Sequence, residues 1–175
     1  NGVITDADQT WIYDPVPKFS YGLNIALNYK NFDLSMFWQG VCDKDVYNNQ
    51  KFQTDFWGVN DPGSNKGERL LDAWTTANTG STIPALSTMN TADEGRASSY
   101  FVENGSYLKL RTLQFGYSLP QSLLSKIKLS NARVYVSGQN LLTIKSKSLT
   151  CTDPENPDWN YPLATSVSFG VQIGF

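Results

Sequence analysis

The sequence predicts an all-β fold, namely a segment of an antiparallel transmembrane β-barrel with about five strands. Long stretches alternate between apolar and polar residues with a period of two, which places the two kinds of side chain on opposite faces of a strand. Aromatic residues make up 13% of the chain and charged residues only 17%, below the roughly 25% of an average soluble domain. The alternating stretches are separated by connections that are short and long in turn, as in outer-membrane barrels.

One predicted strand lies at residues 163–175, where every second residue from Val167 to Phe175 is apolar and the residues between are small or polar. One face is therefore predicted to meet lipid and the other a wet lumen. The stretch stops on an aromatic residue in register with the apolar face, as expected at the aromatic girdle of a membrane boundary. The predicted membrane-insertion signal consists of Phe169, Val171, Ile173 and Phe175.

Residues 19–29 and 32–41 are predicted to form a hairpin, because apolar residues occupy every second position of both stretches. Its height of about ten residues, with aromatic residues near its ends, matches a bilayer span. Lys30 and Asn31 are predicted to form a two-residue turn, since Asn tolerates a positive φ.

Two further strands are predicted at 107–119 and 132–143. In the first, Lys109 and Arg111 fall on the side that becomes lipid-facing further along the strand. We expect both cations to sit above the hydrocarbon, because a cation at the bilayer midplane costs about 2–4 kcal/mol. In the second, Gly138 and Asn140 are expected to ease a bend near the rim.

Residues 42–105 and 144–162 lack a period of two and are predicted to be long extracellular loops, whereas the short connections are predicted to be periplasmic. Five strands, an odd number, cannot close a barrel, and the chain begins without Met. Residues 1–175 are therefore expected to be the C-terminal segment of a larger barrel.

The loop at 42–105 is expected to contain one short helix at 67–75, with Leu70, Leu71 and Trp74 on a common side. Cys42 and Cys151 both lie near strand ends, so either one disulfide or two free thiols fits the sequence.

Five short motifs resemble, in order, the last strands of SusC/RagA-type TonB-dependent outer-membrane transporters of Bacteroidetes. They are DPVPKFSYG at 14–22, GSYLKLR at 105–111, SGQNL at 137–141, DPE at 153–155 and YP at 161–162. The chain departs from the family pattern at Cys151-Thr152, where a Gly is common, and at Ala164, where a basic residue is frequent.

The resemblance implies a 22-stranded barrel that is closed by a plug domain and lies in the bacterial outer membrane. It implies import of glycans, or of peptides, with a SusD-like surface lipoprotein and with energy passed through the TonB complex. The expected partners are thus the rest of the barrel with its plug, the lipoprotein, the TonB complex, the lipid bilayer and the cargo.

Composition argues against other classes of function. The chain has no His, which removes the usual base of hydrolase triads, so no enzymatic activity is expected. Nothing places two glutamates at the separation that a glycosidase needs. These glutamates are Glu68, Glu94, Glu103 and Glu155. A net charge of -2 without a basic run excludes nucleic acid as an expected partner.

No cofactor is predicted, although Ca²⁺ in the extracellular loops fits a set of oxygen ligands whose spacing does not resemble an EF-hand. This set contains Asp6, Asp8, Asp43, Asp45, Asp153, Glu155 and Asp158.

Three tryptophans in the predicted loops are candidate contacts for cargo or for the lipoprotein, with loop packing as the alternative: Trp57, Trp74 and Trp159. Polar residues at inward positions are predicted to face the lumen, where they hydrate it or contact the plug. They are Asp33, Gln39, Gln114, Gln139 and Gln172.

Two other classes remain open from the sequence. A soluble β-sandwich that binds carbohydrate would bury its apolar strand faces against one another. A membrane-barrel enzyme would hydrolyse its substrate without energy coupling, and the absence of His counts against it.

Overall fold

A computed structural model of the chain describes residue 7 and residues 9–55, 65–86, 96–158 and 160–175. The chain divides into two compact units. The sheet unit comprises residues 17–44, 105–146 and 162–175, and the loop unit comprises the described parts of 1–16, 45–104 and 147–161. Within the described ranges, no helix is both long enough and apolar enough to cross a membrane.

The described residues form seven strands, which we number along the chain. They are β1 (Phe19–Tyr29), β2 (Phe32–Cys42), β3 (Asp45–Tyr47), β4 (Val102–Asn104), β5 (Tyr107–Ser118), β6 (Asn131–Lys145) and β7 (Ser166–Gly174). The sheet unit contains five of them in the order β1-β2-β5-β6-β7, and every neighbouring pair is antiparallel. The prediction of an antiparallel β-barrel segment that does not close on itself is confirmed.

The side chains of the sheet unit divide between an apolar face and a polar face. Residues that lie opposite one another in register point to the same side of a sheet. On the apolar face, one row of paired residues crosses all five strands: Leu27, Leu34, Phe115, Val136 and Phe169. Phe115 is 43% exposed and Phe169 is 85% exposed, so the described chain does not cover this face with a core of its own.

A bulge reverses the alternation within β5. Arg111 opposes no residue of either neighbouring strand, because the register shifts on both sides of it. An extra residue sends every later side chain to the opposite face. Lys109 is therefore paired with Gln39 on the polar face, and Leu110 with Trp38 on the apolar face.

The prediction that Lys109 and Arg111 follow the lipid-facing side was wrong. That prediction assumes that the apolar alternation continues through position 111, because the sequence there shows no sign of a bulge. The bulge has a clear physical effect, since it removes two cations from the apolar face. On a lipid-facing side, a cation costs about 0–1 kcal/mol near the interface and about 2–4 kcal/mol at the bilayer midplane.

Two other backbone irregularities accompany the sheet. Asn140 has a φ of 52° in β6 beside the register shift, whereas Gly138 pairs in register with Leu113 and Val167, and a bend at these two residues stays a prediction. At the β1–β2 turn, Lys30 rather than Asn31 takes the positive φ, of 53°. Asn31 instead donates its Nδ2 to the carbonyl oxygen of Ser118 at 2.8 Å.

The loop unit is built around two short paired strands and an aromatic cluster. β3 pairs with β4, and helix α1 (Asn49–Asp55) follows β3. Phe101 is fully buried, with the rings of Tyr47 and Phe52 at 5.6 and 5.4 Å from its own. A smaller apolar cluster of Val46, Leu149 and Cys151 joins residues from both long connections.

The helix expected at 67–75 is a single 3₁₀ segment, Glu68–Asp72. Its apolar residues do not share one side, because Leu70 is buried whereas Leu71 is 86% exposed. The tighter 3₁₀ turn places successive side chains about 120° apart, which separates neighbours that an α-helix would bring closer.

Both cysteines are free thiols. Cys42 ends β2 and is exposed, whereas Cys151 is buried in the loop unit. Of the two alternatives left open by the sequence, the structure has the unpaired one.

A charge placed on the apolar face should destabilise the folded barrel far more than the same charge on the polar face. Phe169→Lys puts an ammonium among residues that the sequence predicts to meet lipid, and we expect a loss of about 2–4 kcal/mol in the free energy of unfolding. Ser168→Lys is the matched control, since Ser168 is the preceding residue of β7 and pairs with Ser137 on the polar face. The measurement is denaturant unfolding of the parent barrel in lipid vesicles. Equal losses for the two variants would contradict the assignment of the faces.

Candidate functional site

The polar face of the sheet unit holds all five residues that were predicted to face a lumen. Register places Asp33 opposite Gly116, and Gln39 opposite Lys109. The other three occupy the same face: Gln114 opposite Ser35 and Ser137, Gln139 opposite Thr112 and Ser166, and Gln172 opposite Arg133. These residues share one surface, and what this surface meets stays a prediction.

An ion pair crosses three strands near the short-connection end of this face. Arg133 on β6 donates Nε to Oδ1 of Asp33 on β2 at 2.9 Å, and its Nη2 donates to the other carboxylate oxygen. The intervening β5 presents Gly116, and a Cβ there would overlap both the guanidinium and the carboxylate. The pair can form because the middle strand has no side chain in its path.

Further contacts fix the orientation of this guanidinium. The ring of Tyr135 lies 5.1 Å from Arg133 Cζ, within cation–π range. The amide of Gln114, with its oxygen turned toward Arg133, accepts from Nη1 at 3.0 Å and from Nη2 at 2.9 Å. Charge-assisted bidentate bonds of this kind are stronger and more directional than neutral ones.

Sequence reasoning missed Arg133 as a member of this site. The alternation of β6 was sufficient to place Arg133 on the polar face, because its neighbour Val134 points to the apolar face. Its partner Asp33 is 100 residues away in sequence, so the pairing itself had no local signal.

A second polar contact lies nearer the long connections. Arg111, the bulged residue, donates Nε to Oε1 of Gln39 at 2.8 Å. Lys109 is 1% exposed, and its Nζ lies 5.5 Å from the ring centroid of Tyr107. The polar face therefore carries cationic side chains toward both ends of its strands: Arg133 nearer the short connections, and Lys109 and Arg111 nearer the long ones. Such a face is suited to hydrogen bonding with another polar surface or with water.

The loop unit contains a polar network that joins the two long connections. Glu103 is at its centre and is 8% exposed. It accepts from Asn48 Nδ2 at 2.8 Å, from the Thr150 backbone N–H at 2.8 Å and from Thr150 Oγ1 at 2.9 Å. Lys51 Nζ lies 3.6 Å from its Oε1.

Asp55 is the second acid of this network, and its side chain is fully buried. It accepts from Arg69 Nε at 2.9 Å, from Tyr100 Oη at 2.8 Å and from Thr54 Oγ1 at 3.0 Å. Arg69 Nη1 also donates to Thr150 Oγ1 at 2.9 Å, which links the two acids into one system. Within the described residues, every buried side-chain N or O atom has a hydrogen-bond partner.

Burial shapes the titration of this network. Desolvation lowers the pKa of Lys51, and the nearby Glu103 carboxylate opposes that shift. Desolvation, followed by the hydrogen bond to Asp55, raises the pKa of Tyr100. The phenol therefore stays protonated at neutral pH and remains a donor to Asp55. These acids act as acceptors for fixed donors, which is a structural role.

The remaining candidate acids are scattered. Glu68 is exposed at the start of the 3₁₀ segment, and Glu94 lies outside the described residues. Asp43 forms an ion pair with Lys18 at 2.6 Å, and Asp153 Oδ1 accepts from the backbone of Glu155 at 2.9 Å. Asp6 and Asp8 also lie outside the described residues. In the part of the chain that the structure describes, no three His, Cys, Asp or Glu residues come together as a metal site.

Of the three candidate tryptophans, Trp57 and Trp159 lie outside the described residues. Trp74 is 40% exposed, and its backbone N–H donates to the carbonyl of Ile83 at 2.9 Å. The predicted insertion residues are exposed on the apolar face or just past it, at 85% for Phe169, 66% for Val171, 51% for Ile173 and 97% for Phe175.

No family model matches the chain, but curated relatives do. Over 174 residues it is 38% identical to TonB-dependent receptor P3 of Formosa agariphila, an alignment that covers 99% of this chain and 16% of that receptor. It is 29% identical to the TonB-dependent receptor SusC of Bacteroides thetaiotaomicron, over 100% of this chain and 17% of the receptor.

Solved structures agree. The RagAB peptide importer in its closed-closed state matches the whole chain with a TM-score of 0.79 and 26% sequence identity, over 19% of that chain. In its open-open state the TM-score is 0.72 and the identity 27%, over 91% of this chain and 17% of that one.

An uncharged face on one side and a hydrogen-bonded polar face on the other define a wall segment of a membrane β-barrel. The chain belongs to the TonB-dependent receptors of the SusC/RagA type. It spans between 16% and 19% of the length of the curated relatives that it matches.

The ion pair across β5 should show energetic coupling. Asp33→Asn and Arg133→Gln each leave one partner without its counter-charge, whereas the double variant removes both charges. We expect the double variant to lose less stability than the sum of the single losses, with a coupling of about 0.5–3 kcal/mol. Thermal unfolding of the four purified receptors measures it, and additive losses would contradict a direct bond.

The loop unit should depend on Asp55. Asp55→Asn keeps the shape but removes the charge that Arg69 and Tyr100 bind, and we expect about 3–5 kcal/mol of local destabilisation. Hydrogen exchange of the amides in 48–55 and 100–103 reports it as lost protection. Asp72→Asn is the matched control, because Asp72 is an exposed acid of the same unit. Unchanged protection in the Asp55 variant would show that the network does not hold the unit together.

Proposed function

We propose that the chain is part of the wall of a TonB-dependent nutrient importer in the bacterial outer membrane. Its apolar face meets lipid and its polar face lines the lumen or contacts the plug. One observation carries this proposal: the apolar face has no charged residue along all five strands, because the bulge at Arg111 turns Lys109 to the other side.

The same observation argues against a soluble β-sandwich that binds carbohydrate. Such a protein needs its apolar strand faces buried against each other. Here Phe169 and Val171 are 85% and 66% exposed within the described chain. A lipid bilayer, rather than a second sheet, is the partner that fits so large a continuous apolar surface.

We also propose that the parent receptor works with a SusD-like surface lipoprotein and imports glycans or peptides. Support comes from its relatives, one of which is SusC and another a RagAB peptide importer. The part of the loop unit at residues 65–86 is the proposed contact region. Its exposed apolar side chains include Leu71 and Trp74, at 86% and 40% exposure.

The parent receptor should require detergent for extraction and should carry a companion polypeptide. Mass determination of the intact assembly, purified from native membranes by an affinity tag, is the measurement. We expect one additional lipidated protein in stoichiometric amount. Extraction as a soluble protein without detergent would overturn the membrane assignment, and a receptor that is always isolated alone would overturn the lipoprotein.

A pair of variants tests the contact region in the same experiment. Trp74→Ala should lower recovery of the companion protein or uptake of the cargo. Trp11→Ala removes another exposed tryptophan, at 83% exposure, and serves as the control. Equal effects of the two changes would argue against a specific role for Trp74.

A further inference from the structure

The two short connections of the sheet unit carry positive charge and contain no Asp or Glu. The β1–β2 turn contains Lys30, and the β5–β6 connection contains Lys126 and Lys128, all three exposed. The sequence has no Asp or Glu at 15–32 or at 105–152. Asp33, the first acid after the turn, is bound by Arg133. The three ammonium groups therefore lack acidic neighbours on their own segments.

Hydrogen bonds hold the two short connections next to each other. The backbone N–H of Ser118 donates to the carbonyl of Asn31 at 2.8 Å, and Asn31 Nδ2 donates back to the carbonyl of Ser118. The β5–β6 connection contains helix α2 (Gln121–Leu124) and a 3₁₀ turn (Ser125–Ile127), which is followed by Lys128 with a φ of 56°. The lysines thus belong to one ordered end of the sheet.

Apolar and aromatic side chains border these lysines. Lys30 Nζ lies 5.4 Å from the ring centroid of Tyr29, which is 70% exposed on the apolar face. The rings of Phe32 and Tyr117 are 4.7 Å apart on the same face. In the β5–β6 connection, Leu124 is buried whereas Leu123 is 49% exposed.

Lysines directly beyond a band of aromatic and apolar residues match the chemistry of a bilayer interface. Aromatic rings sit at headgroup level, and a lysine near the surface attracts anionic lipid. An acidic soluble protein would satisfy the charge but not the exposed apolar border, which is continuous with the lipid-facing side of the sheet.

We propose that this end of the sheet binds anionic phospholipid headgroups through Lys30, Lys126 and Lys128, with Tyr29, Phe32 and Leu123 against the acyl chains. The inference rests on the proposed bilayer position of the apolar face. A failure of nutrient uptake would not contradict the inference, because it concerns lipid preference. Extraction without detergent would contradict both the inference and the proposed bilayer position.

Native mass spectrometry of the purified parent receptor in neutral detergent tests this proposal. Phosphatidylglycerol and phosphatidylcholine are titrated in parallel, and bound lipids are counted. We expect wild type to prefer phosphatidylglycerol, and Lys30→Gln/Lys126→Gln/Lys128→Gln to lose that preference by up to about fivefold per lysine. A heat-dependent shift in gel mobility confirms that each variant is folded.

The matched control is Lys18→Gln/Lys66→Gln/Lys147→Gln, which removes the same charge from three exposed lysines outside the short connections. Its lipid preference should equal that of wild type. Equal losses in the two triple variants, or no loss in either, would overturn the proposal. The proposal would also be overturned if an acidic protein co-purified with wild type but not with the first triple variant, because that protein rather than lipid would then bind the three lysines.

Discussion

A strand that lies in a bilayer must keep charge off one of its two faces, and this constraint organises the sheet unit. Alternation satisfies it in β1, β2 and β7 without any special device. In β5 alternation alone would leave Lys109 on the lipid side, and the bulge at Arg111 prevents this. One unpaired residue thus reconciles a basic stretch of sequence with a hydrocarbon environment.

Polar groups are stabilised in different ways in the two units. On the sheet, Arg133 reaches across a gap left by Gly116 and neutralises Asp33. In the loop unit, Glu103 and Asp55 share several donors drawn from both long connections, so segments distant in sequence are held in one fold. The first arrangement braces the wall, and the second gives the connections a defined structure of their own.

Period-two patterning was enough to predict the antiparallel sheet and, outside the bulge, the sorting of its faces, because the face that a strand residue takes depends on its own place in the alternation. The bulge at Arg111 escaped prediction because it depends on register with two neighbouring strands. The Asp33–Arg133 pair and the network around Thr150 escaped for a related reason, since both join residues that only the folded chain brings together. Likewise, 3₁₀ geometry at Glu68–Asp72 decided which leucine became buried.

The bulge also constrains how β5 can be used in protein engineering. Chimeras that exchange the long connections between related receptors need a junction somewhere along β5. Side chains in Tyr107–Leu110 alternate between the two faces in the opposite order from those beyond Thr112. The position of the junction relative to the bulge therefore decides which residues of the graft point to each face. Donor and recipient must therefore share the extra residue at position 111, or the graft will turn its leucines inward and its lysine toward the membrane.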